Sequence, residues 1–150
     1  MNIMKKFILC TLSFVALSLI MASCGDGNAP DMPKDFPTTD NLKNFSVDFQ
    51  TLQADYAEVK VTSADKDCFF YWAYMKSSAY DNYDSREEIQ AHLTQLYEDA
   101  EFPYDLDQGE GTGSLELNPG TKYLFMVFKV VDGYVISGEI EYKIFESPAE

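Results

Sequence analysis

Leu115-Glu116-Leu117-Asn118-Pro119-Gly120-Thr121-Lys122-Tyr123 is the stretch on which the reading of this chain turns. It opens the run Tyr123 to Val131, which is apolar at almost every position. Upstream, Phe45, Val47 and Phe49 alternate with Ser46, Asp48 and Gln50, and Ala57, Val59 and Val61 alternate with Glu58, Lys60 and Thr62. Period-two alternation with one polar face predicts half-buried strands. Cys68 to Met75 is apolar almost throughout. Downstream, Asp132-Gly133 is a two-residue hairpin signal leading into a last strand over Tyr134 to Phe145. The chain is expected to be mostly β.

The nonapeptide resembles the tyrosine corner of fibronectin type III domains, whose pattern is a leucine, then Pro-Gly-Thr, one residue, then tyrosine. The resemblance implies that Leu117 is buried, that Pro119-Gly120 makes the bend, and that Tyr123 starts strand F with its hydroxyl bonded back to the preceding turn. Ile144-Phe145-Glu146-Ser147-Pro148 likewise resembles the end of such a domain's last strand. The likeness covers roughly residues 42–64, 67–76 and 110–148, and implies a fibronectin type III or immunoglobulin-like β-sandwich over 41–150.

One segment departs from that family. Between the third strand and the corner, Ser85-Arg86-Glu87-Glu88 reads as a capping box with Ser85 as N-cap. Ile89, Leu93, Leu96 and Tyr97 then recur at i, i+4, i+7 and i+8, one face of a helix over about 85–99, and Phe102-Pro103 ends it. If Tyr123, Phe125 and Val127 face the core, then Leu124, Met126, Phe128 and Val130 face outward, and a strand apolar on both faces needs cover on both. Each such burial is worth about 1.5–3 kcal/mol. The inserted helix is expected to pack on the outside of the C–F–G sheet; the rival is a face left bare for a partner.

The N-terminus fixes an address. Lys5 and Lys6 precede an apolar run, Phe7 to Ala22, that closes on Met21-Ala22-Ser23-Cys24. A basic start, an apolar centre and small residues before the cut predict a secretory signal peptide over 1–23. The run is shorter than the roughly twenty residues that span a bilayer. The cysteine after the small residues resembles the lipobox of bacterial lipoproteins, which implies cleavage before Cys24 and acylation of its thiol, palmitate included. Residues 24–40, with Pro30, Pro33 and Pro37 and no apolar periodicity, read as the lipidated cysteine and a flexible tether. In some lipoproteins of Gram-negative gut anaerobes, acids after the cysteine signal surface export, and Asp26 and Asp31 are a sparse version. The expected location is the cell envelope, anchored in the outer membrane by lipid on Cys24, with surface and periplasmic faces both open.

Loss of Lys5 and Lys6 leaves nine basic against 25 acidic residues, a charge of −16 for 24–150. That surface lacks the basic footprint that nucleic acid or anionic lipid requires. Cys68 is then the sole free thiol, beside Phe69 and Phe70, where a small buried hydrophobe is expected. Asp99, Glu101, Asp105, Asp107 and Glu110 lack the spacing of a calcium loop, Gly109 to Gly113 reads as a flexible turn, and no carboxylate pair stands out for glycoside hydrolysis. His92 is expected to pack or face water. No metal, cofactor or catalytic residue is assigned. Tyr80, Tyr83, Tyr97, Phe102 and Tyr104 cluster around the insertion, and tyrosine suits sugar or protein contacts. The expected role is non-catalytic interaction or assembly with envelope proteins; the alternative is glycan binding through Tyr80, Tyr83 and Tyr104.

Overall fold

The computed structural model describes residues 32–101, 103–131, 135–136 and 139–150. The elements are β1 Phe45–Leu52, β2 Tyr56–Ser63, β3 Phe69–Lys76, α1 Ser77–Tyr80, α2 Arg86–Glu98, β4 Asp107–Gln108, β5 Glu110–Glu116, β6 Lys122–Val131, β7 Val135–Ile136 and β8 Glu141–Glu146. The protein is mostly β, with two antiparallel sheets. One sheet is β1–β2–β5. In the other, β6 is central between β3 on one side and β7 and β8 on the other. The short β4 pairs with both β3 and β5 and ties the sheets along one side.

Alternation in β1 and β2 plays out as expected, for Phe45, Val47, Ala57, Val59 and Val61 turn inward. They share a core with Phe70, Leu115, Leu117, Tyr123, Phe125, Val127 and Phe145, so the two sheets bury their facing sides against each other. Leu117 is buried, and the Tyr123 hydroxyl accepts a hydrogen bond of 2.7 Å from the Asn118 N–H. Gly120 takes the bend at φ 57°, a left-handed value that favours glycine. Tyr123→Phe is expected to remove that partly buried hydrogen bond and cost about 1 kcal/mol; urea melts of the two proteins measure it.

β6 is buried on both faces from Tyr123 to Phe128. Its outward residues Leu124, Met126 and Phe128 join Ile89 and Leu93 of α2, Met75, Tyr80 and Ile140 in a second apolar cluster. The helix thus covers the outer face of the sheet, and the bare-face rival is excluded. Ser85 caps α2 by accepting from the Glu88 N–H at 3.2 Å, while the Glu88 carboxylate accepts from Asp84 rather than from Ser85 itself. A second helix, the single turn α1, was not predicted, and the predicted last strand is broken into β7 and β8.

Two expectations are corrected. Gly109 to Gly113 is not a flexible turn: Gly109, at φ 69°, turns the chain from β4, and β5 begins at Glu110. A Cβ on Gly111 would lie 2.1 Å from the Asp107 carboxylate and one on Gly113 would lie 2.3 Å from the Trp72 ring. The glycines are the room those side chains occupy. Nor is the chain a free tether as far as residue 40. Met32 is 1% exposed and Pro37 is buried. Phe36 meets the Tyr80 ring edge-on at 5.6 Å, and Lys34 donates to the Tyr83 carbonyl. Apolar side chains without periodicity pack here as a strap that completes the second cluster, so the folded unit begins by Met32. The signal segment, Cys24, the tether before Met32, Phe102 and the Asp132-Gly133 hairpin lie outside the described residues.

Candidate functional site

The three tyrosines singled out from the sequence meet three different fates. Tyr80 is 0% exposed in the second cluster, and its hydroxyl donates to the Pro33 carbonyl. Burial raises its pKa above the ordinary tyrosine range. It is a core residue that holds the strap, and the expectation that it touches ligand is corrected. The reason is tertiary: α1 folds it back under residues 32–37. Tyr83 is half-buried, with its ring 5.5 Å from that of His92. Burial lowers the His92 pKa, so the imidazole is neutral at pH 7 and packs. Tyr104 alone stands out, 87% exposed.

Tyr104 lies in a tight turn between α2 and β4. Asp105 donates its N–H to the Glu101 carbonyl at 3.1 Å, and its carboxylate accepts from the Glu101 N–H at 2.7 Å. The turn feeds straight into β4, whose Asp107 and Gln108 pair with Phe70 and Phe69. Phe69, on the outward side of β3, is 45% exposed, a large value for a strand phenylalanine. Tyr71, two residues on and on the same face, packs its ring 5.6 Å from Phe128. Burial raises the Tyr71 pKa, and the charges of Asp105 and Asp99 raise it further. Among the described residues Phe69 and Tyr104 are the large aromatic side chains that stand exposed, and Tyr71 is half-buried. The sequence signal for Phe69 was its place in an apolar strand, which reads as core.

The remaining candidates have structural roles. Trp72 stacks on Phe125 at 5.4 Å inside the first core and donates its indole N–H to Asp107 at 3.2 Å. Cys68 is buried with its thiol directed at the Phe69 carbonyl. Tyr97 is half-buried on α2, and burial pushes its hydroxyl up to about 12. Among the described residues no group of three or more His, Cys, Asp or Glu is arranged to hold a metal ion, and no helix is long and apolar enough to cross a membrane.

Asp107 has a pH consequence. Burial raises its pKa, opposed by the Trp72 hydrogen bond. A carboxyl whose folded pKa is raised binds its proton more tightly in the native state, so its contribution to stability falls as pH rises from the ordinary aspartate value through the folded one. Asp107→Asn keeps an acceptor for Trp72 and removes that slope. The stability of the variant relative to the parent is expected to increase between about pH 4 and pH 7, the range above the unperturbed aspartate pKa. Chemical denaturation at both pH values tests this, and a relative stability that falls with pH would contradict it.

Comparison with known proteins adds no identity: no protein-family model matches the chain, and no curated protein matches it.

Proposed function

We propose that this is a lipid-anchored cell-envelope protein, held in the outer membrane by acylated Cys24, whose fibronectin type III-like domain makes non-catalytic contacts with other envelope proteins. Support for the domain type comes from the Tyr123 bond to the turn before it and from pairings β1–β2–β5 and β3–β6–β8, which fit the A–B–E and C–F–G sheets of such sandwiches. The interaction role rests on one observation. With the outer sheet face closed by α2 and the strap, Leu52, Phe69, Tyr104 and Val131 are the large apolar side chains left exposed among the described residues, and Phe69 and Tyr104 are the aromatic ones. Exposed aromatics with polar tips suit contact with a partner surface.

Radiolabelled palmitate should enter the parent protein and not Cys24→Ala. Loss of label in the variant with the domain still folded supports the anchor; label retained in Cys24→Ala refutes it. The exposure of Tyr104 also favours a second reading, glycan binding. A glycan array probed with the parent and with Tyr104→Ala separates the two: no glycan bound leaves the protein-interaction reading, and Tyr104-dependent binding replaces it.

A further inference from the structure

We propose that a second copy of this chain docks on the free edge of β3, the two β3 strands pairing antiparallel with Tyr74 on the two-fold axis. The proposal goes beyond the interaction reading above and does not depend on the lipid anchor.

The open backbone calls for a strand as occupant. Gly109 donates its N–H to the Cys68 carbonyl, so by alternation Phe70, Trp72, Tyr74 and Lys76 also direct their backbone groups away from β6. β4 meets this edge at Phe69 and Phe70 and goes no further. Trp72 and Tyr74 are half-buried, and among the described residues no backbone group pairs with theirs on that side. The next element, α1, turns back over β3 and β6. The other edges are treated differently. β1 is bulged after Phe49 and capped by Glu141 and Lys143. In β8, Tyr142 exchanges backbone bonds with Asn41, and Ile144 donates to the Asp40 carboxylate. β5 is held at Glu110 by β4 and at Glu116 by the Tyr74 hydroxyl, which leaves Thr112 and Ser114 between. An edge that is neither bulged nor capped invites a further strand.

Register and charge argue that the strand is a second β3. With Tyr74 opposite Tyr74, Trp72 falls opposite Lys76 of the second copy and Ala73 opposite its Met75, each contact made twice by symmetry. Ala73 and Met75 then form the closer, non-hydrogen-bonded kind of pair, a small side chain against a large one. Lys76 is the single charged residue of β3. Asp107 pairs with Phe70 and accepts from the Trp72 indole, on the face that Trp72 shares with Lys76. Lys76 of the second copy therefore arrives two residues along from Asp107, about 7 Å at 3.3 Å per residue, within reach of a lysine side chain. The register stops at Trp72, short of β4. Lys129 stands across from Phe70 on β6, on the other side of β3, and Lys66 backs Gly109 beyond β4, so neither meets the incoming strand. The Asp105 carboxylate is already held by the Glu101 N–H. The charge of −16 for residues 24–150 opposes association, but the Debye length at physiological ionic strength is about 8 Å, and acids away from the edge are largely screened.

The test uses the full acylated chain in neutral detergent micelles, with detergent in excess and physiological salt. Sedimentation velocity is expected to show a dimer that grows with protein concentration. Amide exchange at Trp72 and Tyr74 should slow over the same range, while Val47, Phe49, Thr112 and Ser114 exchange as in the monomer. Lys76→Glu sets carboxylate against carboxylate at both symmetric contacts and should weaken the dimer at least about tenfold. Asp107→Asn should weaken the parent dimer but strengthen that of Lys76→Glu, a reversal of sign that a merely structural role would not produce. Sharing of micelles through the lipid is common to all four proteins, and circular dichroism melts confirm that each folds. A monomer up to about 1 mM overturns the dimer and leaves contacts with other envelope proteins standing. Slowed exchange confined to β1 or β5 overturns this edge. A dimer that Lys76→Glu changes by less than about twofold overturns the register.

Discussion

Phe128→Ala is expected to cost about 3–5 kcal/mol of folding stability, the range for a fully buried phenylalanine. Phe128 points away from the core shared by the two sheets, and on a simple two-layer reading its truncation at a solvated face would be nearly silent. Its ring is instead 0% exposed, packed beside Tyr71 in the cluster that α2 and the strap close. Removing it leaves a cavity between sheet and helix that neither can fill without shifting. The comparison that decides the matter is Phe70→Ala, the corresponding truncation inside the first core. Equal losses in urea melts mean two cores of similar quality. A loss below about 1 kcal/mol for Phe128→Ala, typical of a surface change, would mean that the helix rests on the sheet without packing into it.

The parts of this arrangement legible in the sequence are those with local periodicity. Ile89 and Leu93 mark the buried stripe of α2, and the doubly apolar β6 demands cover on both faces. Both follow from patterns within a dozen residues. The missed features depend on partners far along the chain. Gly111 and Gly113 weaken a strand on propensity alone, yet β5 needs them because Asp107 and Trp72 lie against it. Met32 and Phe36 have no periodic neighbours, so nothing local announces that they pack, and Tyr80 reads as a loop residue until the strap lies on it. The exposure of Phe69 belongs to this second kind. Phe69 is exposed because the cover formed by α2 and the strap stops short of the start of β3, and the extent of a cover is not written in the strand it covers.

The last strand contains the largest polar effect. Ile140, just before β8, and Tyr142 and Ile144 within it turn to the second cluster, which directs Glu141 and Lys143 toward β1. β1 is an edge strand, and an edge presents unpaired backbone groups that invite pairing with other chains. The Glu141 carboxylate, only 5% exposed, accepts from the backbone N–H groups of Lys43, Asn44 and Phe45 and from the Asn44 side-chain amide. Lys143 donates to the Val47 carbonyl at 3.0 Å. Two side chains of β8 thus satisfy, on the approach to and along β1, groups that a neighbouring strand would otherwise take. Bonds to a buried charge are worth about 1.5–3 kcal/mol each, and losing the acceptor strands the donors as well. Glu141→Ala is therefore expected to cost at least about 3 kcal/mol, a large part of the 5–15 kcal/mol that stabilises a typical domain. Glu141→Gln should recover only part of this, since its NH₂ would face donors. The same loss should leave the start of β1 open: faster amide exchange at Asn44 and Phe45 and new concentration-dependent association are both expected. Unchanged exchange at those amides, with stability within about 1 kcal/mol of the parent, would mean that water replaces the carboxylate without penalty and that the edge is closed by other means.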